Sequence, residues 1–328
     1  MIKLFRSFNP VNIVWLAVFL FAMRIGFAYH LPDKTGFPFI ELFSRLLIPV
    51  SYQYAIPPIF NLFLASTLVF IQAILINYLI NHYNLLGKST FLPALMYITV
   101  SGLFLPFLML SPPLICNFLV IWMLFKLIDF YKGEEAKSIS YDLGMIVAIG
   151  AMIYLPFIYM FLAIWIALII FRPFDWREWI ACVMGFITVF FFLAVFYYLN
   201  DRLGQFFDIW LPLGTKFPVH ITINYYNYLV LIPVIAILVF SAFKLQQNFF
   251  KSYVQIRKAF QLLFFIFLIA SFSFYIRSGF LLDHFLLCCM PVAVFCAYYF
   301  LYATTRWFYE TLYILLLASI IYFQFNTF

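Results

Sequence analysis

The chain has 328 residues, of which 67% are hydrophobic and 9% charged, with a mean hydropathy of +1.07 and a formal net charge of +7. A soluble domain carries about 25% charged residues, so this chain cannot cover itself for water, and soluble enzyme and binding classes are excluded. The excess of positive charge does not mark a nucleic-acid binder, because the basic residues sit in short loops between apolar runs and form no continuous patch.

Lys3 and Arg6 open the chain, and Asn9-Pro10 reads as a helix start, with the amide as cap and Pro in the first turn. The first apolar span is predicted at 11–29. Its basic start imitates a secretory signal, but no small-residue cleavage site follows, so it reads as a retained anchor. The connection behind it carries His30, Asp33 and Lys34, then a short helix between Pro38 and Pro49. Helical spacing there puts Glu41, Ser44 and Arg45 on one face and Phe39, Leu42, Phe43 and Leu46 on the other. That is the pattern of a helix lying flat in a headgroup layer or of a simple packing lid.

Further spans are predicted at 59–80, at 91–108, and from the Ser111-Pro112-Pro113 turn to about residue 130. The apolar run 143–171 is long for one crossing and short for two. Lys132 and Lys137 precede it, and Arg172 and Arg177 follow it. Basic short loops stay on the cytoplasmic side, so an even number of crossings lies between them, broken at Gly150 and Pro156. Spans at 179–198, 228–243, 259–275, from His284 to about 302, and at 311–323 complete about eleven. This layout places thirteen of the nineteen Lys and Arg inside, five outside and Arg24 within the membrane. It sets the N-terminus in the cytoplasm and the C-terminus in the periplasm of a bacterial inner membrane. The expectation is an all-α, polytopic transmembrane bundle forming a single integral membrane domain over 1–328, with a flat amphipathic helix in the first outer loop.

Candidate sites follow from charge in or beside the apolar frame. Arg24 lies five residues from the outer end of its span, roughly 7–8 Å deep. It either snorkels outward or faces the bundle to pair with a carboxylate or a lipid phosphate. Arg277, Asp283 and His284 form a second outer group, of types suited to phosphate binding and proton transfer or to ordinary span ends. Asp175 and Glu178, beside Trp176 and Trp179, read as a capping box with interfacial anchors. Cys116, Cys182, Cys288, Cys289 and Cys296 all fall in apolar spans and read as packing residues, and no metal site is expected. No phosphate-cradling loop, zinc-protease helix or nucleophile elbow occurs. Gln72 and Asn77 are the polar residues placed deepest in a span, the one hint toward a lipid or solute transporter.

Two stretches, 82–94 with 110–117 and 171–179, resemble an uncharacterised bacterial family of multi-spanning membrane proteins of unknown function. More loosely, one span, an outer loop with an acid and a flat helix, then many short hairpins are similar to C-type membrane glycosyltransferases. That likeness implies a polyprenyl-phosphate-linked sugar donor and a catalytic carboxylate in the first outer loop. It makes Asp33 the base, with Asp283 second, and Arg24, Arg45 and Arg277 the lipid-phosphate ligands. The chain departs from that pattern in having one Asp in the loop and no large outer domain. The other reading is a non-enzymatic scaffold or assembly subunit, with membrane lipids and a partner membrane protein as its contacts. Neither reading requires a cofactor.

Overall fold

The structure is a computed structural model that describes residues 1–29, 57–130, 136–208, 225–248, 253–276 and 281–325. Among the described residues every regular element is helical. The α-helices are α1 (Ile2–Phe5), α2 (Asn12–Tyr29), α3 (Pro58–His82), α4 (Leu92–Val100), α5 (Pro112–Asp129), α6 (Ala136–Ile153) and α7 (Met160–Phe171). They continue as α8 (Trp176–Leu199), α9 (Leu203–Asp208), α10 (Leu231–Asn248), α11 (Val254–Phe272), α12 (Cys289–Tyr302) and α13 (Arg306–Phe325). Among the described residues five 3-10 segments interrupt them: Leu105–Leu108, Leu155–Tyr159, Tyr225–Val230, Ser273–Ile276 and Leu282–Cys288. The flat helix expected between Pro38 and Pro49 lies outside the described residues.

Among the described residues, eight helices are long and apolar enough to cross a membrane. Asn12–Ala28 and Leu155–Phe171 are shorter apolar helices. The expected span 91–108 differs most. Its helix α4 has 9 residues and then unwinds at Ser101-Gly102 into the Leu105–Leu108 turn. Nine residues rise about 13 Å, less than half the hydrocarbon thickness of about 30 Å. All nine are buried, so α4 is a plug inside the bundle. The apolar run 143–171 is broken as predicted: α6 ends at Ile153, and a 3-10 turn with Pro156 in its first turn leads into α7. Gly150 permits this turn, because a Cβ there would run into the Phe157 ring.

The ends of the helices gather at two poles. At the pole that holds residue 1, Arg6 Nη2 donates to the carbonyls of Phe300 (2.6 Å) and Ala303 (2.8 Å), and its guanidinium sits over the Tyr309 ring. Arg6 thus closes the last turn of α12, where carbonyls lack helical donors and the helix dipole favours a cation. Asn81 clamps the turn after α3 by donating to the Thr90 carbonyl and accepting from the Thr90 N–H, at 3.0 and 3.1 Å. Tyr83 donates to Asp129 Oδ1 at 2.9 Å. Burial, then the neighbouring carboxylate, pushes the Tyr83 phenol above its ordinary range, so the donor proton stays in place. Asp175 accepts from the Arg177 N–H at 3.0 Å, but Glu178 does not complete a capping box; it pairs with Arg172 at 3.1 Å.

Packing is uneven. The window Leu282–Tyr302 is 78% buried, whereas that of α8 is 17% buried. The tightest seam joins α6 and α8, which run parallel. Gly144 lies against the backbone of Cys182 and Phe186, and Gly185 against that of Tyr141. Small residues at a helix crossing let backbones meet and gain dispersion contacts that lipid cannot replace.

Candidate functional site

The pole opposite residue 1 is built from interrupted helices, and interrupted helices free backbone groups that must find partners away from water. The side chains found there answer that need. Asn61 Oδ1 accepts from the Leu110 N–H at 2.8 Å, fixing the strand-like passage between Leu105–Leu108 and α5. Arg24 is 5% exposed. Its Nη1 donates to Ser66 Oγ at 2.7 Å and to the Leu108 carbonyl at 3.4 Å. Ser66 Oγ in turn donates to the Leu62 carbonyl at 2.6 Å. The Arg24 side chain is thus buried against α3 and the Leu105–Leu108 turn instead of reaching outward. Among the described residues no carboxylate lies within ion-pair distance of Arg24; its close partners are a hydroxyl and a carbonyl.

His284 is the centre of a second buried group, at 1% exposure, and Asp283 beside it is 6% exposed. Both belong to the 3-10 segment Leu282–Cys288 rather than to a solvated turn. His284 Nε2 lies 2.8 Å from the Ala270 carbonyl, which can only accept, so the proton sits on Nε2. Nδ1 lies 2.7 Å from the Tyr154 hydroxyl, which can donate to it or accept from it. Ser273 Oγ lies 3.2 Å from Nε2. This one imidazole ties the break between α6 and α7, the end of α11 and the start of α12. Chemically it is a buried imidazole with both ring nitrogens in hydrogen-bonding distance of partners, next in sequence to a buried carboxylate.

A third group lies deeper. Gln72 Nε2 donates to the Leu114 carbonyl at 2.6 Å, and Tyr97 donates to Gln72 Oε1 at 2.7 Å. Asn117 Nδ2 reaches Tyr97 Oη at 3.2 Å and the Leu286 carbonyl at 3.0 Å. The chain joins α3, α4, α5 and the His284 segment. Sequence reasoning singled out Gln72 for its depth but missed Tyr97, Asn117, Tyr154 and Ser273. The available signal was the recurrence of amide and hydroxyl side chains in spans where carbon would serve as well.

Beside these groups is an apolar cavity of about 290 Å³, lined by Leu103, Phe104, Phe107, Tyr228, Phe285 and Cys288 among others. Arg24 and the His284 segment both border the Leu105–Leu108 turn, whose Phe107 enters that lining. Asp33, Arg45 and Arg277 lie outside the described residues. Among the described residues no three His, Cys, Asp or Glu side chains gather as a metal-binding group.

A family model matches residues 37–328. The chain belongs to DUF6427, a family of unknown function. No curated protein and no solved structure matches it. Membership covers nearly all of this DUF6427 chain, including all three polar groups except Arg24. It agrees with the first resemblance read from the sequence and adds no support to the glycosyltransferase likeness.

Proposed function

We propose that this DUF6427 protein is a non-enzymatic scaffold, a subunit of an envelope assembly in the bacterial inner membrane, with residue 1 cytoplasmic and residue 328 periplasmic. One observation carries the reading: three groups of buried polar side chains, Gln72 with Tyr97 and Asn117, Arg24 with Ser66, and His284 with Tyr154, are engaged in joints between helices. Each group binds a carbonyl or a side chain of another element. Such joints make a stiff frame, and a stiff frame suits presentation of a surface. The surface on offer is α8, whose Ile180, Met184, Ile187, Phe191 and Tyr198 are exposed at helical spacing. A photo-crosslinking residue placed at Phe191 is expected to give one discrete adduct with a second membrane protein. The same probe at Phe63, exposed on α3, is the control. Detergent extraction and mass spectrometry should then find that protein in stoichiometric amount. A lone monomer with no adduct overturns the scaffold.

A second reading, transfer of a sugar from a polyprenyl-phosphate donor at the outer face, is supported by one arrangement. A buried cation, a buried carboxylate with a neighbouring imidazole, and an apolar cavity all border one turn. Cations stabilise a phosphate leaving group, and a carboxylate accepts the acceptor's hydroxyl proton. On this reading Asp33→Asn abolishes transfer at unchanged protein level, and Asp283→Asn lowers it by about 10²-fold or more. The assay is transfer from a radiolabelled polyprenyl-phosphate sugar in membranes. Full transfer by Asp33→Asn removes that residue from the mechanism.

A further inference from the structure

Helix α10 ends with Phe240, Phe243, Lys244 and Gln247 at spacings of three and four, so the four share one face. That face meets the corner where α12 passes into α13. Two contacts hold it there. Ser241 Oγ donates to the Phe295 carbonyl at 2.6 Å, and the Phe240 ring stacks on Tyr299 with centroids 5.8 Å apart. Between α10 and the corner is a second cavity of about 290 Å³. One side of its lining is aromatic: Tyr299 lies against Phe240, and Phe308 meets the same ring edge-on at 5.4 Å. The other side is made of donors, Lys244, Gln247, Thr304 and Thr305. Lys244 Nζ donates to Gln247 Oε1 at 3.3 Å, so Gln247 keeps its amide N–H groups for another acceptor. The charge here has one sign. Among the described residues no carboxylate lines the cavity, and Lys244 pairs with none. The carbonyl of Ala303, in the lining, receives Arg6 Nη2 at 2.8 Å. The acid nearest in sequence to the corner, Glu310, is engaged by the Met1 amine at 3.2 Å and by Arg306 at 3.7 Å.

We propose that this cavity binds the headgroup of one anionic phospholipid, with its phosphate on Lys244, Thr304 and Thr305 and its glycerol against the Phe240, Tyr299 and Phe308 rings. Three features select that occupant. An ammonium, an amide and two hydroxyls can all donate, which suits the oxygens of a phosphate. The ammonium of a zwitterionic headgroup would face Lys244 and find no acid. The rings favour a lipid phosphate over inorganic phosphate, because they offer apolar contact that a bare ion cannot use. Depth agrees with the assignment. Lys244 is four residues from the end of α10, about 6 Å along its axis, so the cavity sits where the helix leaves the apolar layer. Phe243, 58% exposed, gives the rim an apolar side for the chains. The inference is independent of both functional readings, since none of its residues belongs to the joints, to the His284 group or to the exposed face of α8.

Native mass spectrometry of the full chain, delipidated and then titrated with phosphatidylglycerol or phosphatidylcholine, tests it. The wild type is expected to retain one phosphatidylglycerol about fivefold more tightly, the factor that one basic residue at a membrane surface provides. Lys244→Gln should bring the two lipids to parity, and Lys244→Arg should keep the preference. Thr304→Val, at an exposed position, should lower the preference at an unchanged melting temperature. Lys3→Gln, a basic residue elsewhere at the same pole, should change nothing. Glycerol phosphate should displace phosphatidylglycerol at a concentration where inorganic phosphate does not. Equal retention of both lipids by the wild type, an unchanged preference in Lys244→Gln, or equal displacement by inorganic phosphate overturns the proposal.

Discussion

Gly144→Val is expected to detach α8 from α6 and to leave little folded protein. A Cβ at Gly144 runs into the Cys182 carbonyl and the Phe186 nitrogen, and one at Gly185 into the Tyr141 carbonyl. These are backbone atoms, so no side-chain rotation relieves the clash; the helices must separate by more than an ångström. Overpacking a core costs about 1–3 kcal/mol when side chains can shift. A seam of two backbones that cannot shift should cost at the top of that range or above it. The loss is amplified by the position of α8, which has little other support: its window is 17% buried. Lost contacts between helices are replaced by lipid, which restores surface but not the fit. Gly185→Val should behave alike. Gly204→Ala, with nothing within 4 Å of the added Cβ, should leave stability within about 0.5 kcal/mol of wild type. Thermal unfolding in detergent, followed by size-exclusion recovery, separates the three variants. If Gly144→Val melts with the wild type, the close approach of α6 and α8 is not part of the fold.

The same seam shows what a sequence reader can and cannot extract. The break of the run 143–171 was legible because three independent cues agreed there. Length was too great for one crossing and too small for two, Gly150 and Pro156 supplied a break, and basic residues on both flanks demanded an even count. The structure adds that Arg172 pairs with Glu178 and that Lys137 is near enough to act on Glu178, so the two flanks do meet at one pole. The partner of Gly144 was not legible. A glycine in an apolar helix announces a close approach but not the helix that approaches.

Helix α4 misled for a related reason. Hydropathy counts apolar side chains over a window, and 91–108 is apolar throughout. Whether the backbone stays helical depends on what can satisfy freed N–H and C=O groups. Here Asn61 and Arg24, from two other helices, make an interruption tolerable. Ser101-Gly102 was the local sign of it. For Arg24 the depth was readable, but the sequence left snorkelling and facing inward as open alternatives. Its partner Ser66 lies 42 residues away across a connection whose path the sequence does not encode in any simple spacing. Asp283 and His284 were noticed as chemical types, yet their burial comes from 3-10 segments that periodicity does not reveal.

Tyr97→Phe tests whether the polar joints are a frame or an ornament. The hydroxyl donates to Gln72 Oε1 and accepts from Asn117 Nδ2, so its loss leaves one acceptor and one donor bond unmade in a buried place. In water-soluble cores, leaving a buried polar group unsatisfied costs about 1–3 kcal/mol. In membranes, measured interhelical hydrogen bonds average about 0.6 kcal/mol with a maximum near 1.7, because the unfolded helices also find partners. The present case should lie toward the upper figure. Tyr97 is fully buried at the centre of four elements, and Gln72 and Asn117 each hold a backbone carbonyl besides. A double-mutant cycle with Gln72→Leu isolates the bond from the packing of the ring, since the two residues are in contact and should couple by at least about 0.5 kcal/mol. The functional consequence then follows from geometry. Asn117 carries the network to the Leu286 carbonyl, two residues from His284. Loosening at Tyr97 should therefore reach the Tyr154–His284 bond, read as faster hydrogen exchange at residues 282–288. Coupling near zero, with unchanged exchange there, would mean that each polar pair serves only its own two helices, and the stiff frame on which the scaffold reading stands would be lost.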